Sequence, residues 1–449
     1  MKKEQFSRRN FIKTGVTASI AGIMAPAIMP SGIVAKKGRT APSDRIVLGA
    51  IGVGSRGSGL LERHFSSYED VRIAAVADAD MNRCREVGNQ FNAVAYQDYR
   101  HLLDRDDIDG VVIASTDHWH ALHSIHAAQA GKDIYCEKAL SLTVREGRLM
   151  VEAARKYGRV FQTGSQQRSE PNFFRACMLV RNGYIGNVRK VVGVNFNGPW
   201  ENALPGQKVP DGLDWDMWCG PVPVHPYHPE VKSNRGFPGW LSIVDFCGGE
   251  ITGWGTHDID QIQWALGMDE GGPVEIWTEG KPYRPWIAVR PDRTGRFFGA
   301  TDPVIHMKYP GDIHVEFSEH KRPNGGALFI GDQGQIRVDR GTLELSNEEW
   351  HQLPLDTMKV QLHTSDDHYR NWLDCMRDRS RPVADVEIGH RSATACHLGN
   401  IARWISQRTQ QTGDRLHWDP KQERFTNNDW GNFYLDRPRR QPYTLPEQI

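Results

Sequence analysis

Between Asp44 and residue 168 the chain alternates short apolar runs with amphipathic stretches. The runs are RIVLGAIGVGSRGSG (45–59), VRIAAVADAD (71–80), IDGVVIAST (108–116), KDIYCEK (132–138) and RVFQTGS (159–165). None shows the polar–apolar alternation of a strand with one wet face. Each is therefore expected as a strand covered on both sides. Between them, residues 57–65, 81–91, 120–130 and 144–157 read as helices. Strand and helix in turn predict a doubly wound parallel sheet.

The texture changes after about residue 170. Trp and Pro crowd the stretch 199–240. VRKVVGVNFN (188–197), HVEFSEH (314–320), GALFIGDQGQIRVD (326–339) and GTLELS (341–346) predict a large, mostly antiparallel sheet. Helices are expected over 366–377 and 393–410. The expected fold is α/β: a leader and linker (1–40), a domain on the parallel sheet (44–168), a second α/β domain (169–417) and a tail (418–449). The tail is rich in Pro, Arg and aromatics and is expected to wrap its own chain or a neighbour's.

The first 40 residues carry a different signal. Ser7-Arg8-Arg9, with Phe11 and Lys13 after it, precedes an uncharged stretch from 14 to 29 and then Lys36, Lys37 and Arg39. That order reads as a twin-arginine export leader, with Ala27 or Ala35 ahead of the cleavage point. The alternative is a disordered tail that contains Arg-Arg. Gly15, Gly22 and Pro26 break the apolar run, and no membrane span is expected once the leader is removed. The expected location is the periplasm or cell envelope.

Charge and cysteine content narrow the partners. With 55 basic and 55 acidic residues there is no excess to hold nucleic acid. Seven scattered cysteines without a Cys-x-x-Cys are expected as buried thiols. Unpaired thiols in an exported chain suit folding in the reducing cytosol, with a cytosolic cofactor already captured.

Gly52, Gly54 and Gly57 form Gly-x-Gly-x-x-Gly between the first strand and the first helix. The first glycine allows the turn, the second lets backbone approach a pyrophosphate, and the third lets helix pack on strand. Ser55 and Arg56 lie inside this turn. Asp78 ends the second strand, 21 positions after Gly57, where a carboxylate accepts from a ribose 2′-hydroxyl and repels a 2′-phosphate. The expected cofactor is NAD.

STDHWHA (115–121), AGKDIYCEKALSL (130–142) and TGSQQRS (163–169) follow the next strands. Together with the glycine turn they resemble the Gfo/Idh/MocA family of sugar and cyclitol oxidoreductases. The resemblance implies a Rossmann domain followed by an α/β domain whose open sheet carries the substrate site and often the oligomer contacts, so a homo-oligomer is expected. In the family a Glu-Lys-Pro motif places a lysine beside substrate and nicotinamide. Glu137 and Lys138 match it, with Ala139 in place of Pro. GGEITGWGTHDIDQIQWALG aligns with the family's Asp-x-x-x-His segment, so His257 matches the histidine and Gly253 stands where the Asp usually is. Thr256 is expected to cap that helix and Asp260 to hold the His257 ring or face solvent.

Lys138 and His257 are thus the expected catalytic pair, the ammonium stabilising a developing alkoxide and the neutral imidazole taking its proton. Trp119 and His120 are expected on the nicotinamide side, and Thr116 and Asp117 as turn and cap residues beside Ser115. Gln166 and Arg168 are placed toward cofactor or sugar hydroxyls. Trp200, Arg235 and Trp240 are sugar-contact candidates, while Trp215 and Trp218 read as core. His118, His120, His123 and His126 lack a carboxylate or thiolate partner, so no metal site is expected there.

The expected function is NAD-dependent oxidation of a ring hydroxyl on a carbohydrate, or the reverse reduction. Two alternatives are a glycoside hydrolase that oxidises C3 transiently, and a non-catalytic sugar-binding protein.

Overall fold

The five apolar runs fold as strands of one sheet, joined by a short sixth. The strands are β1 (Ile46–Ile51), β2 (Val71–Ala77), β3 (Val94–Tyr96), β4 (Gly110–Ile113), β5 (Asp133–Cys136) and β6 (Phe161–Thr163). They lie in the order β3-β2-β1-β4-β5-β6 with every pair parallel. The connecting helices are α1 (Ser55–Arg63), α2 (Met81–Phe91), α3 (Tyr99–Leu103), α4 (Asp117–Gln129) and α5 (Val144–Lys156). Strand order reverses between β1 and β4, so their carboxyl ends flank the crevice where such sheets take ligands. The computed structural model describes residues 44–233, 239–289, 300–319 and 325–449. The leader segment and Arg235 lie outside the described residues.

The second half runs α6 (Pro171–Arg181), β7 (Val188–Val194), β8 (Glu201–Asn202), α7 (Trp215–Cys219), α8 (Pro229–Lys232), α9 (Glu250–Gly253), α10 (Gly255–Leu266), β9 (Glu275–Glu279) and β10 (Ile287–Ala288). It continues with β11 (Val304–Tyr309), β12 (Ile313–Glu319), β13 (Ala327–Gly331), β14 (Gln335–Asp339), β15 (Thr342–Leu345), α11 (His368–Asp378), α12 (Val386–Thr409), β16 (Leu416–Asp419), β17 (Arg424–Phe425) and α13 (Asp429–Phe433). Nine strands form a mixed sheet, β15-β14-β13-β7-β12-β11-β9-β16-β17, in which β7 and β12 run parallel. β8 and β10 make a separate two-stranded ribbon.

Alternate residues of the large sheet, Val191, Ile276, Ile305, Met307, Val315, Phe329 and Ile336, pack with Ile259, Ile262, Leu398 and Ile401 from α10 and α12. The intervening residues face the other way, as the two-residue period requires. α12 begins at Val386, earlier than the pattern suggests, because it is buried on nearly every side and so lacks an amphipathic stripe.

α11 crosses back to the first sheet. Tyr369, Trp372, Leu373 and Met376 share a core with Leu48, Val112 and Tyr135. Gly110 in β4 faces this helix, and a Cβ there would come within 2.8 Å of Met376. The tail wraps its own chain: Arg439 pairs with Glu146 at 3.0 Å, and Arg440 with Asp216 at 2.8 Å. All seven thiols are buried and unpaired.

Histidines are an uncommon part of this interior. Burial lowers His118 and His368 to about 4 and His397 to about 3. The unfolded chain protonates these rings near 6.5 while the native chain does not. More protons then bind the unfolded state, so stability falls as pH drops from about 6.5 to 4. Thermal denaturation across that window should show a falling Tm, and His397→Gln should make the fall shallower.

Candidate active site

The glycine turn is built to admit a dinucleotide. Gly52 has φ of +80°, and a Cβ there would lie 2.4 Å from the Ser115 amide nitrogen. A Cβ on Gly57 would lie 2.0 Å from the Gly52 carbonyl oxygen. Both glycines are required by backbone packing. Gly54 differs: its Cβ would meet just one side-chain atom, Arg83 Nη1 at 3.6 Å, so it leaves the cleft side of the turn clear. These residues fit a pyrophosphate approaching the start of α1.

Gly52, Gly54, Ser55, Arg56, Asp78, Ser115, Thr116, Trp119 and Trp240 line one continuous cleft at the carboxyl ends of β1, β2 and β4. Arg83, Lys232 and Met217 line it too, and motif reading passes over them because they come from helices outside the glycine turn. Asp78 is held in place by backbone: its Oδ2 accepts from Val53 N at 2.9 Å and its Oδ1 from Asp80 N at 2.9 Å. Trp119 donates to the carbonyl of Met217 at 3.0 Å, which ties α4 to α7. Trp215 and Trp218 stack at 4.5 Å within a buried cluster, as expected of core.

Arg56 and Glu137 do something other than hold a phosphate. Their side chains pair at 2.7 Å. Glu137 Oε1 also accepts from Gln166 Nε2 at 3.0 Å, and Gln166 donates to the Tyr135 hydroxyl at 2.8 Å. Burial opposes ionisation of Glu137, but Arg56 and Lys138 outweigh it and hold the carboxyl below its usual range. Gln166 therefore serves the motif rather than reaching the cleft on its own.

Lys138 follows this anchored glutamate. The Lys138–Ala139 peptide is cis, and the Ala139 carbonyl accepts from His120 Nδ1 at 2.7 Å. His120 Nε2 lies 3.1 Å from the Ser115 carbonyl. His120 is thus a buried pin between two loops, not a cleft residue. Among the described residues Lys138 makes no ion pair or hydrogen bond. Asp117 does not cap α4 by its side chain. It is buried, its Oδ2 has no partner, and burial pushes it up to about 7 against the pull of Lys138.

His257 is buried in the first turn of α10, and its Nδ1 has no partner. Its proton affinity is held well below the ordinary value by burial and by Lys138, Arg340 and Arg56 around it. The Thr256 cap expected there is absent, because α9 runs into α10 through Trp254 and leaves no free helix end, and Thr256 Oγ1 bonds back to the Thr252 carbonyl. Arg340, from the β14–β15 turn, lies 4.8 Å over the Trp254 ring. With its amide in the orientation its neighbours demand, Gln167 donates to the His257 carbonyl at 3.2 Å and accepts from Arg340 at 3.1 Å. No sequence motif marks Arg340, since the strand order of the large sheet brings it here. Where the Asp is missing, a Cβ on Gly253 would stand 3.5 Å from Glu250 Oε2, so a carboxylate from one turn earlier is close by.

Arg168 and Asp260 are corrected outright. Arg168 is 2% exposed and pairs with Asp260 at 2.8 Å and Asp269 at 2.7 Å. Asp260 also accepts from Ser392 at 2.7 Å. Neither touches the cleft or the His257 ring.

Two family models match this chain: an oxidoreductase-family NAD-binding Rossmann fold over residues 46–165, and that family's C-terminal alpha/beta domain over 177–445. The chain belongs to the Gfo/Idh/MocA oxidoreductase family. Residues 46–165 form its NAD-binding domain. It is 27% identical over 247 residues to inositol 2-dehydrogenase 2 of Saccharopolyspora erythraea, covering 55% of this chain and 59% of that one. It is 34% identical over 204 residues to a glycosyl hydrolase family 109 protein of Shewanella pealeana, covering 40% and 41%. The chain thus spans about half the length of the curated relatives it matches. Among solved structures, the Bordetella pertussis WlbA dehydrogenase with NADH and UDP-GlcNAcA matches with TM-score 0.58 at 16% identity, over 84% of this chain and 99% of that one. The Caulobacter crescentus aldose-aldose oxidoreductase matches with TM-score 0.54 at 18% identity, over 83% and 99%.

The site yields two tests. Gly54 has φ of −64°, so Gly54→Val strains no backbone but fills the cleft side of the turn. NADH binding followed by fluorescence should weaken at least tenfold, roughly the 1.4 kcal/mol of one lost close contact, with Tm nearly unchanged. Arg168→Met leaves two carboxylates without their partner and should cost about 3–5 kcal/mol in denaturant unfolding. A substrate-binding role would instead raise KM in a fully stable protein.

Proposed function

We propose that this protein is an NAD-dependent oxidoreductase acting on a ring hydroxyl of a carbohydrate or cyclitol, and that it carries its cofactor out of the cytosol in folded form. The observation that supports this most directly is an unpartnered Lys138 whose charge, together with burial, keeps His257 neutral. NAD, when bound, takes or returns the hydride. The chain handles the proton and the oxygen. The Lys138 ammonium donates to the reacting oxygen and stabilises its negative charge. His257, kept neutral by burial and by neighbouring cations, accepts the hydroxyl proton and returns it in the reverse direction. Glu137, held by Arg56 and Gln166, keeps the Lys138 loop in place. The likeness to an inositol 2-dehydrogenase supports a polyhydroxylated ring as substrate.

The glycosyl hydrolase family 109 likeness supports a second reading. In it the C3 hydroxyl is oxidised, the C2 proton and the C1 aglycone leave by elimination, water adds at C1, and C3 is reduced again. Electrons balance within one turnover, which suits a compartment without free NAD.

One experiment separates these readings. Protein purified without added cofactor is denatured and its NAD(H) measured; about one per chain is expected. Intact protein is then given inositols, free sugars and aryl glycosides, with NADH absorbance and aglycone release followed together. Net oxidation gives NADH without aglycone, and the hydrolase gives aglycone without NADH. Lys138→Met should lower either turnover by roughly 10²–10⁴-fold while the cofactor stays bound. Unchanged turnover in that variant would overturn the proposal.

A further inference from the structure

We propose that His306, His314 and Glu316 form a binding site for a divalent transition ion of the zinc class, on the face of the nine-stranded sheet turned away from its helices. The register builds it. In the hairpin of β11 and β12, His306 stands opposite Glu316, and His314 is two residues before Glu316 on the same face. Ile305 and Met307, the neighbours of His306, point to the helices, so these three side chains point the other way.

The donor geometry suits an ion. His306 Nδ1 and His314 Nε2 lie 3.0 Å apart, and one donor atom from each of the three residues falls within 4.8 Å of the others. Tetrahedral zinc with Zn–N of about 2.0–2.1 Å sets neighbouring ligand atoms about 3.3 Å apart. The two imidazoles are already close to that spacing.

Their orientation is fixed from outside. Trp277, opposite His306 on β9, stacks on both rings, at 5.0 Å and 10° for His306 and at 5.4 Å and 9° for His314. Arg415 covers the Trp277 ring at 3.4 Å. The far nitrogen of His306, Nε2, is buried without a hydrogen-bond partner, and the nearest Glu279 oxygen is 3.5 Å away. Closing that short gap would give Nε2–H the carboxylate partner that zinc-binding histidines commonly have and leave the Nδ1 lone pair for the ion. Lys190 holds Glu316 at 2.8 Å; its side chain is 40% exposed, so the ammonium can move to water as the ion arrives.

Two imidazoles and one carboxylate favour a late first-row ion over magnesium or calcium, which take oxygen ligands. Three protein ligands leave a fourth position for water or for a group from another molecule. None of these residues belongs to the NAD cleft or to the Lys138–His257 pair.

The test uses the full chain stripped with a chelator. Zn²⁺ is titrated against a chromogenic chelator, and Co²⁺ is followed by its visible d–d bands. One ion per chain is expected, with the strong bands of tetrahedral cobalt. His306→Gln and His314→Gln should each weaken zinc binding at least about tenfold and remove those bands, and Glu279→Gln should weaken it about 10–100-fold with stoichiometry unchanged. His351→Gln, on a half-exposed histidine elsewhere, should change nothing. Tm and NADH binding are checked in each variant. If His306→Gln fails to fold, Glu316→Gln at the rim replaces it. Equal zinc affinity and equal cobalt spectra in wild type and folded variants would overturn the site, as would no zinc binding in the wild type.

Discussion

The ion pair between Arg56 and Glu137 is the constraint on which the proposed reaction centre depends. It joins the glycine turn after β1 to the loop after β5, two segments far apart in sequence. Glu137 is nearly fully buried, and a carboxylate there needs a cation and hydrogen bonds to remain ionised. Arg56, Gln166 and Tyr135 supply them. Because Arg56 satisfies Glu137, the adjacent Lys138 has no internal partner among the described residues. A Glu137 without Arg56 would draw on the next cation that already acts on it, Lys138. The same pair that shapes the cofactor turn therefore keeps the lysine available.

The base proposed at His257 has a complementary requirement, met by different means. A base working at neutral pH must not already carry its proton. A free helix end is one way to achieve that, but α9 continues into α10 and removes it. Burial, with Lys138, Arg340 and Arg56 around the ring, does the work instead. Cations crowd the imidazole while the carboxylates are held aside: Asp260 is taken by Arg168, and Glu137 by Arg56. Gly253 in place of an acidic residue fits this arrangement, since a carboxylate at that position would pull a proton onto the ring. Glu250 Oε2 stands 3.5 Å from where a Cβ at position 253 would project.

The first sheet was legible because its strands are continuous apolar runs ending in glycine or acid, and both signals are local. β3 was not: three partly exposed residues carry too little pattern. The large sheet was legible as a texture rather than as an order. β11 does alternate, with Ile305, Met307 and Tyr309 inward, yet it is six residues between Pro303 and Pro310. The glycine turn and Asp78 could be placed from motif and spacing, and both line the cleft. Arg168 could not be read correctly, because its position after β6 points toward the cleft and only the fold reveals Asp260 and Asp269 beside it. Arg340 had no signal at all, being delivered by the β14–β15 turn.

The same reasoning explains where histidines mislead. Four in α4 are dense in sequence and invite a metal reading, but the fold spends them separately. His118 reaches the Trp218 carbonyl, His120 those of Ala139 and Ser115, His123 the Ser115 hydroxyl and His126 that of Tyr99. Helical spacing turns successive side chains outward into different neighbours. A two-stranded hairpin does the opposite: it sets residues eight apart in the chain side by side with rings parallel. His306 and His314 therefore converge because of register, a property no window of sequence displays. A cluster of donors on one face is better sought across paired strands than along one helix.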